Sequence, residues 1–217
     1  IINLRKNRDF TIFDLEIKFP SKKVKKINNI VANIIGEHNI ANATASIAIA
    51  LNLGIKVSKI KKALKKFLGI QRRFTKVFSI GKKDFYDDYA HHPTEVSAVI
   101  KSAREVNKDR KIICVFQPHR YSRIKSLKND FASSFKECDE VLLCPVYSAG
   151  EKIKYNFSQD NFSKLISEKS KVQVINIKDQ IEMKNYFKKN LLYDEMVICM
   201  GAGSISNWLK ETGNELK

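Results

Sequence analysis

Apolar residues recur along this chain with two periods, and the switch between them sorts it into parts. Residues 10–17 carry apolar side chains on one alternation, the period of a half-buried strand. Pro20, Ser21, Lys22 and Lys23 then turn the chain, and residues 30–35 read as a second strand. Two strands with so little around them do not fold alone. Residues 40–53 form a helical stretch that is rich in alanine and almost free of charge, so the expectation is burial on most sides. Gly54 ends it. Residues 57–67 predict another helix, with Ile60, Ala63, Leu64 and Phe67 inward and lysines outward.

From Thr75 the pattern changes to a hairpin, residues 75–80 and 83–88, followed by alternating helices and short apolar strands. Helices are expected at 93–106, 125–136, 157–168 and 179–189, strands at 111–116, 140–144, 172–175 and 196–200, and a last helix closes the chain. Repeated βα units predict an α/β fold with a mostly parallel sheet and helices on both faces. The shift of composition near residue 74 marks a domain boundary, giving domains 1–74 and 75–217. In such a sheet the polar turns after successive strands share one edge. Asp88, His91, Arg120 and Arg123 are expected to converge there.

Chemistry is densest at Asp87-Asp88-Tyr89-Ala90-His91-His92-Pro93. Pro93 suits the first position of a helix, so this cluster lies on a strand-to-helix turn. The plainer reading is that Asp88 and His92 cap the helix. His38, Asn39 and Asn42 stand at the start of the alanine-rich helix. Amides and an imidazole suit an adenine edge, although Asn39 or His38 could equally be a cap. Arg72 and Arg73 follow Gly69 as a candidate phosphate clamp, or as solvent arginines. Gly201-Ala202-Gly203 is a weak phosphate-loop signal that a close strand–helix turn explains as well.

The 40 basic and 23 acidic residues leave a net charge of +17. Lysines are spread over every segment and alternate with core positions, as on a solvated face, so nucleic acid is not the expected partner. Such a surface still attracts anionic substrates such as nucleotides. No apolar run reaches the roughly 18 residues of a membrane span, and no signal segment opens the chain. The four cysteines, without a C-x-x-C, are expected to be buried cytosolic thiols, neither zinc ligands nor disulfides. The chain begins at Ile1, not Met, and is expected to be part of something longer.

Taken in order, Gly-x-His-Asn-x-x-Asn-Ala (36–43), Gly-x-x-Arg-Arg-Phe (69–74), Asp-Asp-Tyr-Ala-His-His-Pro-Thr-Glu (87–95), Phe-Gln-Pro-His-Arg-Tyr-Ser-Arg (116–123), Val-Tyr-x-Ala-Gly-Glu (146–151) and Gly-Ala-Gly (201–203) resemble the Mur ligase family. The resemblance implies the end of a central ATPase domain followed by a Rossmann-like C-terminal domain. It further implies a cytoplasmic enzyme of peptidoglycan synthesis, of the kind that joins L-alanine to UDP-N-acetylmuramate through an acyl phosphate, with ATP and Mg²⁺. By the same resemblance His38, Asn39 and Asn42 hold adenine. Arg73 and Asp88 contact the nucleotide, and His91, Arg120 and Arg123 bind the amino acid; Arg73, Asp88 and His91 count as catalytic.

Departures are Ser204 and Ile124, where the family more usually has Asp or Asn and Thr. No G-x-x-G-K-[ST] loop occurs in the sequence, and the metal ligands and uridine site belong to other parts of such an enzyme. The chain is therefore expected to be inactive alone. The alternatives are a stand-alone nucleotide-binding module or a ligase that recycles murein tripeptide.

Overall fold

The computed structural model describes residues 1–7, 10–18, 22, 24–34, 36–67, 69–152 and 157–216, with the side chain of His38 left out. The chain divides into two units, Ile1–Gly69 and Ile70–Lys217.

In the first unit β1 (Ile2–Lys6), β2 (Thr11–Lys18) and β3 (Val24–Ala32) pair antiparallel in that order. Helices α1 (Glu37–Asn52) and α2 (Val57–Lys66) complete the core, where Phe13, Leu15, Ile27 and Ile30 meet Ile40, Ile47 and Ile60. Strand β1 is absent from the sequence reading because most of it is exposed and its pairing with β2 is what extends it. Strand β3 starts well before residue 30. Its exposed run Lys25, Lys26, Asn28 and Asn29 hides it, since only Ile27 and Ile30 point inward there. The predicted turn residues Pro20, Ser21 and Lys23, and the predicted strand end Ile35, lie outside the described residues.

Helix α1 corrects one expectation. It buries a single stripe, Ile40, Ala43 and Ile47, while Ile49 is 62% exposed. Lack of charge alone does not bury a helix; a covering layer does, and within this unit only one face has one.

The second unit holds β4 (Thr75–Ile80), β5 (Lys83–Asp88), α3 (Pro93–Val106), β6 (Ile112–Phe116), α4 (Tyr121–Ala132), β7 (Glu140–Leu143), α5 (Gln159–Ser170), β8 (Gln173–Asn176), α6 (Gln180–Asn190), β9 (Met196–Met200) and α7 (Ile205–Leu216). The sheet order is β4-β5-β9-β6-β7-β8, antiparallel only at β4–β5. The predicted α/β class with a mostly parallel sheet is therefore observed.

Strands β6 and β9 are buried at every residue, as parallel strands covered on both faces must be. Ile113, Val115, Val197 and Cys199 face Met183 and Phe187 of α6 and Ile205 and Leu209 of α7. On the opposite face Phe116 meets Phe131 and Phe135, with ring centroids 5.6 and 5.3 Å away. All four cysteines are free and buried, as expected. Because β9 inserts between β5 and β6, the turns that leave β5, β6 and β9 are neighbours on one sheet edge.

Residues 70–74 go with this second unit: Phe74 N–H donates to the Asp88 carboxylate at 2.7 Å, and Arg72 Nη2 donates to the Gly201 carbonyl at 2.5 Å. At the opposite edge Arg110, only 6% exposed, holds three loops together. Its guanidinium reaches Asp84 at 2.8 Å and the carbonyls of Asp194, Lys82 and Glu195 at 2.6, 2.8 and 3.2 Å.

Candidate functional site

Strand β5 ends in two buried carboxylates with different partners. Asp88 accepts the backbone N–H groups of Phe74 and Ala90, each at 2.7 Å. Asp87 accepts the Ser206 hydroxyl at 2.5 Å. The cap of α3 is His92, whose ring accepts from Thr94 N–H while Glu95 returns to the His92 N–H at 3.1 Å. Capping thus accounts for His92, whereas Asp88 ties its own turn to the loop at Phe74.

Burial pushes Asp88 up to about 6, against the lowering effect of its two N–H donors and of Arg73. The folded value lies above the ordinary 3.8, so the folded chain holds this proton more tightly than the unfolded chain. Stability from Asp88 is full below pH 3.8 and is lost as pH rises through 6. Carbon-13 NMR of its carboxyl should show a midpoint near 6; an ordinary carboxylate midpoint would contradict this.

The arginine pair splits. Arg72, in the left-handed region at φ 60, lies over the Tyr89 ring at 4.6 Å, and its Nε is 3.7 Å from Asp87. It pins its own loop to the end of β9. Arg73 is exposed and near enough to Asp88 and Glu95 to favour their charged forms. Only Arg73 is left as a phosphate-binding candidate.

The turn after β6 carries Gln117, His119 and Arg120. Arg120 adopts φ 70 at the N-cap of α4 and is held there by its N–H on the Tyr147 carbonyl at 2.9 Å. Helix α4 begins at Tyr121, four residues before the predicted start, so Arg123 lies inside it. Arg123 Nη1 meets His119 Nδ1 at 3.2 Å. The His119 ring stacks on Tyr147, centroids 5.6 Å apart, and stands edge-on to His91 at 5.7 Å. Glu151 accepts from Ser122 through both N–H and hydroxyl, and these bonds hold its carboxyl below the usual range. Among the described residues neither Arg120 nor Arg123 pairs with Glu151 or Asp88, so these arginines are not tied up in stiffening the edge.

The structure therefore brings His91, His119, Arg123 and Tyr147 together, with Arg120 beside them. His119 and Tyr147 escaped sequence reasoning, though the pairing of β6 with β7 makes the turns after them neighbours. Asp88 lies on the same edge, but its carboxylate serves the backbone.

The Gly201–Gly203 turn is a packing device. A Cβ on Gly201 (φ 151) would stand 2.7 Å from the Gln117 carbonyl, and one on Gly203 would overlap the Gln117 side chain and Tyr147. Gln117 is 3% exposed. It donates to Ser204 Oγ at 3.0 Å and accepts the Ile205 N–H at 3.1 Å, which fixes the start of α7.

In the first unit α1 starts at Gly36 without a side-chain cap. Neither reading of Asn39 as a cap nor of His38 as one survives, since both lie inside the helix; the side chain of His38 is outside the described residues. Asn42, one turn on from Asn39, is exposed. Among the described residues no group of three or more His, Cys, Asp or Glu side chains could hold a metal ion, and no helix is long and apolar enough to cross a membrane.

A family model described as "Mur ligase, glutamate ligase domain" matches residues 72–203. The UDP-N-acetylmuramate–L-alanine ligase of Pelagibacter ubique is 46% identical over 97% of this chain and 46% of its own length. That of Paracoccus denitrificans is 37% identical over 95% of this chain and 44% of its own. Among solved structures, the UDP-N-acetylmuramate–alanine ligase of Thermotoga maritima superposes with TM-score 0.72 at 25% identity, covering 98% of this chain and 45% of that one. A murein peptide ligase of Psychrobacter arcticus, 18% identical with TM-score 0.64 over 98% of this chain and 42% of its own, shares the fold. The chain thus spans about half the length of the curated relatives it matches.

Proposed function

This chain belongs to the Mur ligase family, and on that premise we propose that it is the C-terminal part of an enzyme joining L-alanine to UDP-N-acetylmuramate in cytoplasmic peptidoglycan synthesis. The first unit is then the end of the central ATP-binding domain and the second unit the C-terminal domain, with the boundary at Gly69 instead of the expected residue 74. The observation that carries the reading is the sheet edge where His91, His119 and Arg123 meet beside Arg120, which pairs with no carboxylate among the described residues. Guanidinium groups there suit the carboxylate of a free amino acid, which Arg binds with two parallel hydrogen bonds. The likeness to murein peptide ligase is one of fold, and does not favour the recycling alternative.

In the reaction so proposed, ATP phosphorylates the muramate carboxylate, the alanine amine attacks the acyl phosphate, and ADP and phosphate leave. Arg73, exposed on the second unit, is the proposed phosphate contact, and Asp88 holds the loop that carries it through the Phe74 N–H; on the first unit His38, Asn39 and Asn42 of α1 are the proposed adenine contacts. His91, Arg120 and Arg123 orient the amino acid so that its amine faces the acyl carbon. Holding it in place converts a two-body encounter into an intramolecular step. Among the described residues no group of three or more His, Cys, Asp or Glu side chains fits a Mg²⁺ site.

Two measurements test this. A chimaera joining this chain to the N-terminal part of the Pelagibacter relative should form UDP-N-acetylmuramoyl-alanine from ATP and L-alanine. Ligation of another amino acid in its place would refute the reading. The chain alone, lacking a phosphate loop, should bind ATP with a Kd of about 1 mM or weaker. Micromolar binding by calorimetry would favour a stand-alone nucleotide module.

A further inference from the structure

The two imidazoles on the sheet edge are held in opposite tautomers. His91 Nδ1 lies 2.8 Å from the Tyr89 carbonyl, which can only accept, so Nδ1 carries the hydrogen and Nε2 keeps the lone pair. His119 Nδ1 lies 3.2 Å from Arg123 Nη1, which can only donate, so here Nδ1 keeps the lone pair and Nε2 carries the hydrogen. The rings stand 5.7 Å apart, edge to face, with Tyr147 stacked behind His119.

We propose that His91 Nε2 is the acceptor for the proton released by the attacking amine, and that His119 is a neutral N–H donor that positions the amino acid against it. This deepens the function proposed above and rests on it. As the amine nitrogen bonds to the acyl carbon it becomes cationic. Its proton passes to His91 Nε2, and the C–O bond to phosphate breaks with its electron pair on the departing oxygen. The imidazolium so formed faces Glu95, whose Oε2 lies 3.6 Å from His91 Nδ1 and also accepts the His91 and His92 N–H groups at 3.0 and 3.1 Å.

His119 is kept out of that role by its surroundings. Partial burial, then Arg123, His91 and Arg120, push its titration below the ordinary 6.5, and Glu151 opposes them weakly. Tyr147 adds a neutral face. One ring of the pair is thus placed to become charged beside a carboxylate, and the other to remain neutral beside arginines.

Nitrogen-15 NMR of the imidazoles in the 217-residue chain tests the pair without any turnover. The spectrum should show His91 as the Nδ1–H form and His119 as the Nε2–H form, with His119 titrating below 6.5. Arg123→Met should raise the His119 midpoint. Finding both rings in one tautomer, or a His119 midpoint indifferent to Arg123→Met, would overturn the proposal. In the chimaera, His91→Ala should lower kcat about 100-fold or more with KM for ATP unchanged. His119→Ala should raise KM for L-alanine about 2- to 10-fold with KM for ATP unchanged, and His119→Gln, which keeps an N–H donor, should restore it. A loss that Gln does not restore would make His119 merely structural. A chimaera without ligation defeats the proposed function, whereas the NMR arm still decides the imidazole pair.

Discussion

Replacing Arg110 by methionine should destabilise the second unit by about 2–4 kcal/mol, the loss expected when partly buried carbonyls lose a charged donor. The expectation follows from the surroundings of this guanidinium. It is 6% exposed and satisfies three backbone carbonyls besides Asp84. Methionine fills much of the volume but donates nothing, so the Asp194 and Lys82 carbonyls lose their charged donor, while Glu195 keeps only the Asp84 N–H at 3.1 Å. Burial alone would raise the Asp84 carboxyl; hydrogen bonds from Lys76 and Arg110 instead hold it below the ordinary value. Lys76 at 2.5 Å would remain after the change, so the cost comes mainly from the carbonyls. Arg110→Lys should recover little, because an ammonium group cannot span four acceptors in a plane. Denaturant unfolding checks this, and a loss under about 1 kcal/mol would show that water reaches the carbonyls.

Arg120→Ala should act in the opposite way, on chemistry with little effect on folding. Its side chain is exposed and pairs with no carboxylate among the described residues, and its turn is held by its backbone N–H on Tyr147. Stability should therefore change by no more than about 0.5 kcal/mol. In the chimaera, loss of a charged hydrogen bond to the amino-acid carboxylate should lower kcat/KM for L-alanine by about 10- to 150-fold. KM for ATP should hardly move. A fall in melting temperature with unchanged constants for alanine would make Arg120 a structural residue and move the amino-acid site elsewhere.

Much of the second unit is legible before any coordinates. Strands such as Ile112–Phe116 are short, wholly apolar and bounded by polar turns, and their alternation with amphipathic helices permits little besides a parallel sheet. The hairpin of β4 and β5 and the helix opening at Pro93 are local signals and stand where the sequence reading has them. The first unit is less legible. Strand β1 has no periodic signature, and the lysines and asparagines of β3 mask a strand that buries Ile27 and Ile30 only because α1 and α2 cover them.

The candidate site divides in the same way. Local sequence determined which residue types crowd the turns after β5 and β6, because carboxylates, imidazoles and guanidinium groups next to glycine and proline are chemistry a core cannot absorb. Tertiary structure alone decided which of them face one another. Two adjacent arginines carry no sign of which is used, yet Arg72 is drawn onto Gly201 and Tyr89, 129 and 17 positions away along the chain, while Arg73 stays exposed. Likewise Asp88 is committed to the backbone of Phe74, and His119 becomes the partner of His91 only once β9 has closed the sheet between β5 and β6. The reason is physical: propensity and periodicity act over a few residues, whereas hydrogen-bond partners are chosen by strand order, which is settled by the burial of both faces of the sheet.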